Sequence, residues 1–159
     1  MPSPIVRPLE TADVAALCDL IDALADYENL PRPDSDARGR LAHDAFAQPP
    51  WFHVLVAVLG EEVVGYAVYY FTYSTFLARP NLYLEDIFVS REHRGEGAGL
   101  ALFRACATEA TRQRCARMEW VVLNWNAPSI DFYQHLGARQ AQEWLPFRLE
   151  GDALHSVAG

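Results

Sequence analysis

The chain has 159 residues, 51% of them hydrophobic and 12% aromatic, which is ample for one packed domain and excludes a disordered one. A formal net charge of −8 and a pI near 5.0 argue against nucleic acid as a partner and favour a cationic small molecule, although acidity also serves plain solubility. The apolar runs are too short for a membrane span and Met1-Pro2-Ser3-Pro4 has no signal-peptide pattern. Cys18, Cys106, Cys115 and the five scattered histidines lack metal-ligand spacing, so the expectation is a soluble, cytoplasmic protein with no metal and no membrane association.

In chain order, Ile5, Val6 and Arg7 read as a short strand ended by Pro8. Thr11 is expected to cap a helix that carries Asp13 in its first turn, an apolar stripe of Val14, Leu17, Ile21 and Leu24, and Tyr27 and Glu28 at its end. A proline-rich loop leads to a second helix over 35–47 with Leu41 and Phe46 inward, stopped by Pro49 and Pro50. Residues 52–59 and 63–73 form an antiparallel hairpin around Gly60, Glu61 and Glu62, and a loop over 74–80 precedes a central strand over 83–89.

That strand runs into Arg91-Glu92-His93-Arg94-Gly95-Glu96-Gly97-Ala98-Gly99 and then a helix with Leu100, Phe103, Ala107 and Ala110 as its apolar positions. Three alternating glycines permit positive φ, let a ligand approach the backbone and leave N–H groups and a helix N-terminus facing one concavity, which suits a phosphate or pyrophosphate. A plain tight connection is the alternative reading. The spacing fits neither Gly-x-Gly-x-x-Gly with a following ribose-binding acid nor a loop ending in Gly-Lys-Ser/Thr. A strand over 117–123, a short helix capped by Asn126 with Pro128 in its first turn and Gly137 at its end, and one or two closing strands over 138–149 with Trp144 and Phe147 inward complete the pattern. No repeat or linker interrupts it, so residues 1–159 are expected to be a single α/β domain with a mixed sheet.

Arg94-Gly95-Glu96-Gly97-Ala98-Gly99 between a strand and a helix resembles the coenzyme A pyrophosphate loop of the GNAT-type N-acetyltransferases, and residues 124–133, ending in Phe132-Tyr133, are similar to that family's second cofactor-facing turn and helix. Tyr27-Glu28, Tyr69-Tyr70-Phe71-Thr72-Tyr73, Leu84-Glu85-Asp86 and Trp125-Asn126 resemble the diamine (spermidine/spermine and thialysine) acetyltransferases within it, over nearly the whole chain. The resemblance implies a mostly antiparallel sheet flanked by helices, acetyl-CoA as cosubstrate and a homodimer. It implies a cofactor set of Ile87, Phe88, Val89, Arg94, Gly95, Glu96, Gly97, Ala98, Gly99, Leu100, Asn126, Ala127, Pro128, Ser129 and Tyr133. The substrate set it implies is Tyr27, Glu28, Glu85, Asp86, Glu119, Trp120, Val121 and Glu143. Ser74-Thr75-Phe76 stands nearer the thialysine branch than the spermidine/spermine branch, and the segment between Gly137 and Trp144 is shorter than in the animal enzymes.

The chemistry expected is acetyl transfer to a small primary amine. Freeing such an amine from its proton at pH 7 costs about 4.6 kcal/mol, so a base is needed. Glu85, in an otherwise apolar strand and on the side of Ile87 and Val89 if that strand is regular, is the candidate, with an unreactive solvated carboxylate as the alternative. A bulge would change this parity, and only a bulge would turn Asp86 to the same side as Glu85. Tyr133 is the acid for the leaving thiolate, with Phe132 left to the core. A protein lysine or N-terminus, an aminoglycoside, or a non-catalytic acetyl-CoA-binding role are the other readings.

Overall fold

Five strands form one sheet in chain order: β1 (Ile5–Pro8), β2 (His53–Leu59), β3 (Glu62–Ser74), β4 (Arg79–Val89) and β5 (Met118–Glu119). The first three pairings are antiparallel and β4–β5 is parallel. The structure is a computed structural model that describes residues 2–159. The chain divides into two compact units, Met1–Val121, which contains the whole sheet, and Val122–Gly159.

Helices α1 (Val14–Tyr27) and α3 (Ala98–Arg112) are packed against different sets of sheet residues, as the alternation of strand side chains requires. On one side, Leu17 and Leu20 of α1 meet Val54, Val56, Tyr66, Val68 and Phe88. On the other, Leu102, Cys106 and Ala110 of α3 meet Ala57, Ala67, Tyr69, Leu82 and Leu84. The buried seam of α3 is Ala98, Leu102, Cys106 and Ala110, a strict four-residue repeat; of the expected Leu100, Phe103, Ala107 and Ala110, Ala110 lies in it and Phe103 packs, partly buried, against the same cluster. Burial holds the Cys106 thiol up at about 12, so it is an inert core group. Gly65 pairs with Val89, and a Cβ there would stand 2.8 Å from the Phe88 carbonyl oxygen and 3.3 Å from Leu102 Cδ1. Glycine at this position lets β3, β4 and α3 close on one another.

Several boundaries differ from expectation. A 3-10 turn, Thr11–Asp13, precedes α1 with Glu10 and not Thr11 in the capping position. The buried Asp13 carboxylate accepts from Arg7 at 2.6 and 3.1 Å and from the Glu10 N–H at 2.8 Å. The Arg7 bonds hold its pKa below the usual carboxylate range and tie β1 to the start of α1. Helix α2 (Ser35–Asp44) is capped by Asp34, which accepts from the Ala37 N–H, and ends before Phe46, which is 42% exposed and not inward. The hairpin turn is Gly60-Glu61 alone, with Gly60 at φ 63° and Leu59 paired with Glu62.

In the second unit, α4 (Ala127–His135) has Asn126 at its N-cap, accepting from the Ser129 N–H, Pro128 in its first turn and Gly137 at φ 93° just beyond it, as its sequence indicates. The expected closing strands are not formed. Residues 138–149 contain no strand, Trp144 and Phe147 are 74% and 95% exposed, and a further helix, α5 (Gly151–Ala158), ends the chain. The strand expected over 117–123 is likewise only Met118–Glu119. Among the described residues no helix is long and apolar enough to cross a membrane.

Candidate active site

The decisive local event is a bulge in β4. Val68 pairs with Asp86 but the next residue, Tyr69, pairs with Leu84, which leaves Glu85 as the extra residue. Parity reverses there. Ile87 and Val89 pack toward the α3 cluster, whereas Glu85 and Asp86, neighbours in sequence, line one open cavity of about 470 Å³. The regular-strand expectation that Glu85 shares a side with Ile87 and Val89 is therefore corrected, and Asp86 joins Glu85 because of the bulge. Ile21, Leu41, Trp51 and Phe52 supply apolar walls, with Val68 and Tyr70 beside the acids.

Both acids are held from β3. The Tyr70 hydroxyl donates to Glu85 Oε2 at 3.0 Å while its ring stacks on Tyr83 at 5.2 Å, and the Tyr66 hydroxyl donates to Asp86 Oδ2 at 3.4 Å. Burial pushes the Asp86 carboxyl up to about 6, the negative charges of Glu85 and Glu28 push the same way, and the Tyr66 bond opposes them. Glu28, just past α1, is also raised by burial. Two acids in one apolar-walled cavity, with the charge of Glu28 acting on Asp86 from outside its lining, make a site suited to a cation.

This has a thermodynamic signature. The Asp86 pKa is about 6 in the fold against an ordinary 3.8, so between those values the folded state binds more protons than the unfolded one and stability falls as pH rises. At pH 7 the ionised group costs on the order of 2 to 3 kcal/mol. Asp86→Asn is expected to raise the melting temperature at pH 7.5, with the gain vanishing below about pH 4. Thermal unfolding across that range checks it, and a variant less stable than native at pH 7.5 would contradict it.

Beyond Tyr83, β4 runs on to Val89 with β3 on one side and, among the described residues, no strand on the β5 side, because β5 pairs only with Leu82 and Tyr83. The backbone of Ile87, Phe88 and Val89 thus borders an open edge, a place where an extended ligand can add as a strand. This edge feeds the glycine turn. Arg91–His93 makes a 3-10 turn, Gly95 and Gly97 lie at φ 85° and 86°, and Gly97 caps α3, with nothing within 4 Å of where either Cβ would be. Positive φ beside open space at a helix N-terminus is the geometry of an anion cradle. Arg94 donates to the Val89 carbonyl at 3.4 Å, and its guanidinium lies over the rings of Tyr27 at 5.1 Å and Phe88 at 5.5 Å. The residues present fit a pyrophosphate joined to an extended arm.

The chain matches the model of the Acetyltransferase (GNAT) family over residues 17–138. It is a GNAT-family acetyltransferase. Relatives at full length include the thialysine N-epsilon-acetyltransferase of Sus scrofa, 38% identical with 100% of this chain and 99% of the relative covered. The L-ornithine N5-acetyltransferase NATA1 of Arabidopsis thaliana is 39% identical over 60% of this chain and 42% of its own. Among solved structures, an integron cassette protein from the mobile metagenome of V. cholerae superposes with a TM-score of 0.86 at 27% identity, covering 99% of each chain. Membership implies acetyl-CoA as the acyl donor for this acetyltransferase. Among the described residues no group of three or more His, Cys, Asp or Glu could hold a metal ion.

Not every residue expected to meet the substrate reaches the acid-lined cavity. Trp120 packs edge-on against Phe103 of α3 at 5.3 Å, within the cluster on the other side of the sheet, and Glu119 pairs with Arg117 at 3.2 Å. Val121 is 71% exposed. Asn126, Ala127, Pro128, Ser129, Tyr133 and Glu143 belong to the second unit, where Glu143 faces Arg139 at 3.7 Å. The sequence reading missed Tyr66 as a site residue, and Tyr70 it named only within a family-like run. Their signal was present in β3, where Tyr66, Val68 and Tyr70 alternate along one side.

Proposed function

We propose that this acetyltransferase transfers an acetyl group to a primary amine of a small molecule, a thialysine-like amino acid, a polyamine or a related diamine, and that both units belong to one catalytic domain. The observation that carries this reading is the bulge that turns Glu85 and Asp86 into one cavity on the α1 side of the sheet, along the stretch of β4 that has no β5 partner. Such a cavity can take an ammonium group, and the edge and glycine turn can hold the donor beside it. Its volume of about 470 Å³ suits a small acceptor better than a folded protein surface. The names of the full-length relatives, thialysine acetyltransferases, support the same class.

Acetyl-CoA supplies an activated acetyl thioester. Glu85, fixed by Tyr70, takes the ammonium proton, directly or through one water, and leaves the free amine to attack. Asp86 and Glu28 hold the positive charge of the acceptor before that proton leaves. N–H groups of Ile87 and Val89, which point away from β3 while that of Phe88 turns toward Tyr66, polarise the thioester carbonyl and align the pantetheine arm, and those of the turn Gly95-Glu96-Gly97-Ala98-Gly99, with Leu100 behind it and Arg94 beside it, bind the pyrophosphate. By the family resemblance Asn126, Ala127, Pro128 and Ser129 face the donor and Tyr133 returns a proton to the departing thiolate. The same resemblance extends to a homodimer.

Thiol release from acetyl-CoA, measured with thialysine, lysine, ornithine, putrescine and spermidine and with mass spectrometry of the products, tests the reading. Turnover of at least one is expected. Acetyl-CoA binding with no turnover of any of them would refute it and turn attention to protein acceptors.

A further inference from the structure

We propose that Tyr66 is a positioning residue for the acceptor cavity: from inside the core its hydroxyl holds the Asp86 carboxylate in place and ionised, and so sets how well the enzyme takes an ammonium at mildly acidic pH. The proposal rests on the acceptor reading above.

Tyr66 is 0% exposed and lies among Leu17, Leu20, Val56 and Phe88, where a phenylalanine would fill the same apolar space. A phenol placed there must find an acceptor, since a buried hydroxyl left unbonded is destabilising. Its acceptor is Asp86 Oδ2, at 3.4 Å across the β3–β4 pairing, on the same side of the sheet because Tyr66 pairs with Phe88 and Val68 with Asp86 in unbroken register. Around Asp86 stand Glu85 on its own strand, Tyr66 and, through Glu85, Tyr70 from β3, and Glu28 after α1. Trp51, Phe52 and Leu41 contribute apolar walls, and the Arg94 guanidinium is engaged over Tyr27 and Phe88. Burial and two like charges favour the protonated acid, while the Tyr66 bond is the contribution that favours the anion. Removing the hydroxyl therefore drives the Asp86 midpoint up from about 6 toward neutrality, where the cavity loses charge.

The test compares native protein with Tyr66→Phe, using two readouts. The first needs no turnover. In protein carrying ¹³C at the aspartate carboxyls, the Asp86 resonance, identified by its loss in Asp86→Asn, is titrated without ligands. A midpoint about one unit higher in Tyr66→Phe is expected. An equal midpoint in the two folded proteins overturns the proposal, whatever the enzyme acts on. Incorporation of 3-fluorotyrosine at position 66, a stronger donor of nearly the same volume, should move the midpoint down and keeps the test decisive if the phenylalanine variant folds poorly. The second readout is the KM of a reacting acceptor against pH. At pH 6.5 it should rise about 3-fold in Tyr66→Phe, with kcat and the KM for acetyl-CoA close to native, and the difference should fade above pH 8. A shifted Asp86 midpoint with an unshifted KM profile overturns the link to acceptor binding and also counts against Asp86 as an acceptor residue.

Discussion

Glu85→Gln is expected to lower kcat at pH 7 by about 10²- to 10⁴-fold and to leave the KM for acetyl-CoA near its native value. The amide keeps the shape of the side chain and can still accept from the Tyr70 hydroxyl, which is 3.0 Å from Glu85 Oε2 in the native protein. It cannot take a proton. The acceptor must then lose its proton to solvent before attack, at a cost of about 4.6 kcal/mol at pH 7 that shrinks by roughly 1.36 kcal/mol per pH unit. Turnover by the variant should therefore climb about tenfold per unit of rising pH while the native enzyme levels off. Steady-state kinetics between pH 6 and 10 checks this, and full turnover by Glu85→Gln at neutral pH would remove the assigned base.

The second large effect belongs to the glycine turn. Gly97 has φ 86° at the cap of α3, and a Cβ there would meet nothing within 4 Å. A substitution is thus opposed by the backbone conformation and not by crowding. Left-handed geometry costs an ordinary residue about 1–2 kcal/mol, and a β-branched one more. In Gly97→Val the turn either carries that strain or rotates its N–H groups out of the concavity. Acetyl-CoA affinity is expected to fall at least 10- to 100-fold, since each 1.4 kcal/mol is tenfold. Calorimetric titration measures it, and native affinity in Gly97→Val would show that the turn is only a connection between strand and helix.

Elements with a local cause were legible in the sequence. The Gly60 hairpin, the positive φ at Gly95 and Gly97 and the Asn126 cap each follow from a residue whose chemistry demands that geometry. The features that make the cavity are not local. Two adjacent carboxylates in a strand interior, Glu85 and Asp86, signal a conflict, because a regular strand would send them to opposite sides. Only the pairing with Val68 and Tyr69 reveals that a bulge resolves it. Tyr66 reads as one more core aromatic until Asp86 is found across the pairing from it. The end of the chain misled for the opposite reason. Trp144 and Phe147 have the composition of inward strand residues, but they are exposed in a segment without a strand, and aromatic content alone does not specify one.

The most direct test is a crystal structure with a bisubstrate compound in which the sulfur of coenzyme A is joined through an acetyl linker to the side-chain amine of thialysine. The expected result is pantetheine along the Ile87–Val89 edge of β4, pyrophosphate on the Gly95–Gly99 turn, and the amine nitrogen within hydrogen-bond reach of Glu85 or one water away, beside Asp86. An amine nitrogen outside the cavity shared by Glu85 and Asp86, with the coenzyme seated as expected, would contradict their assignment to the acceptor.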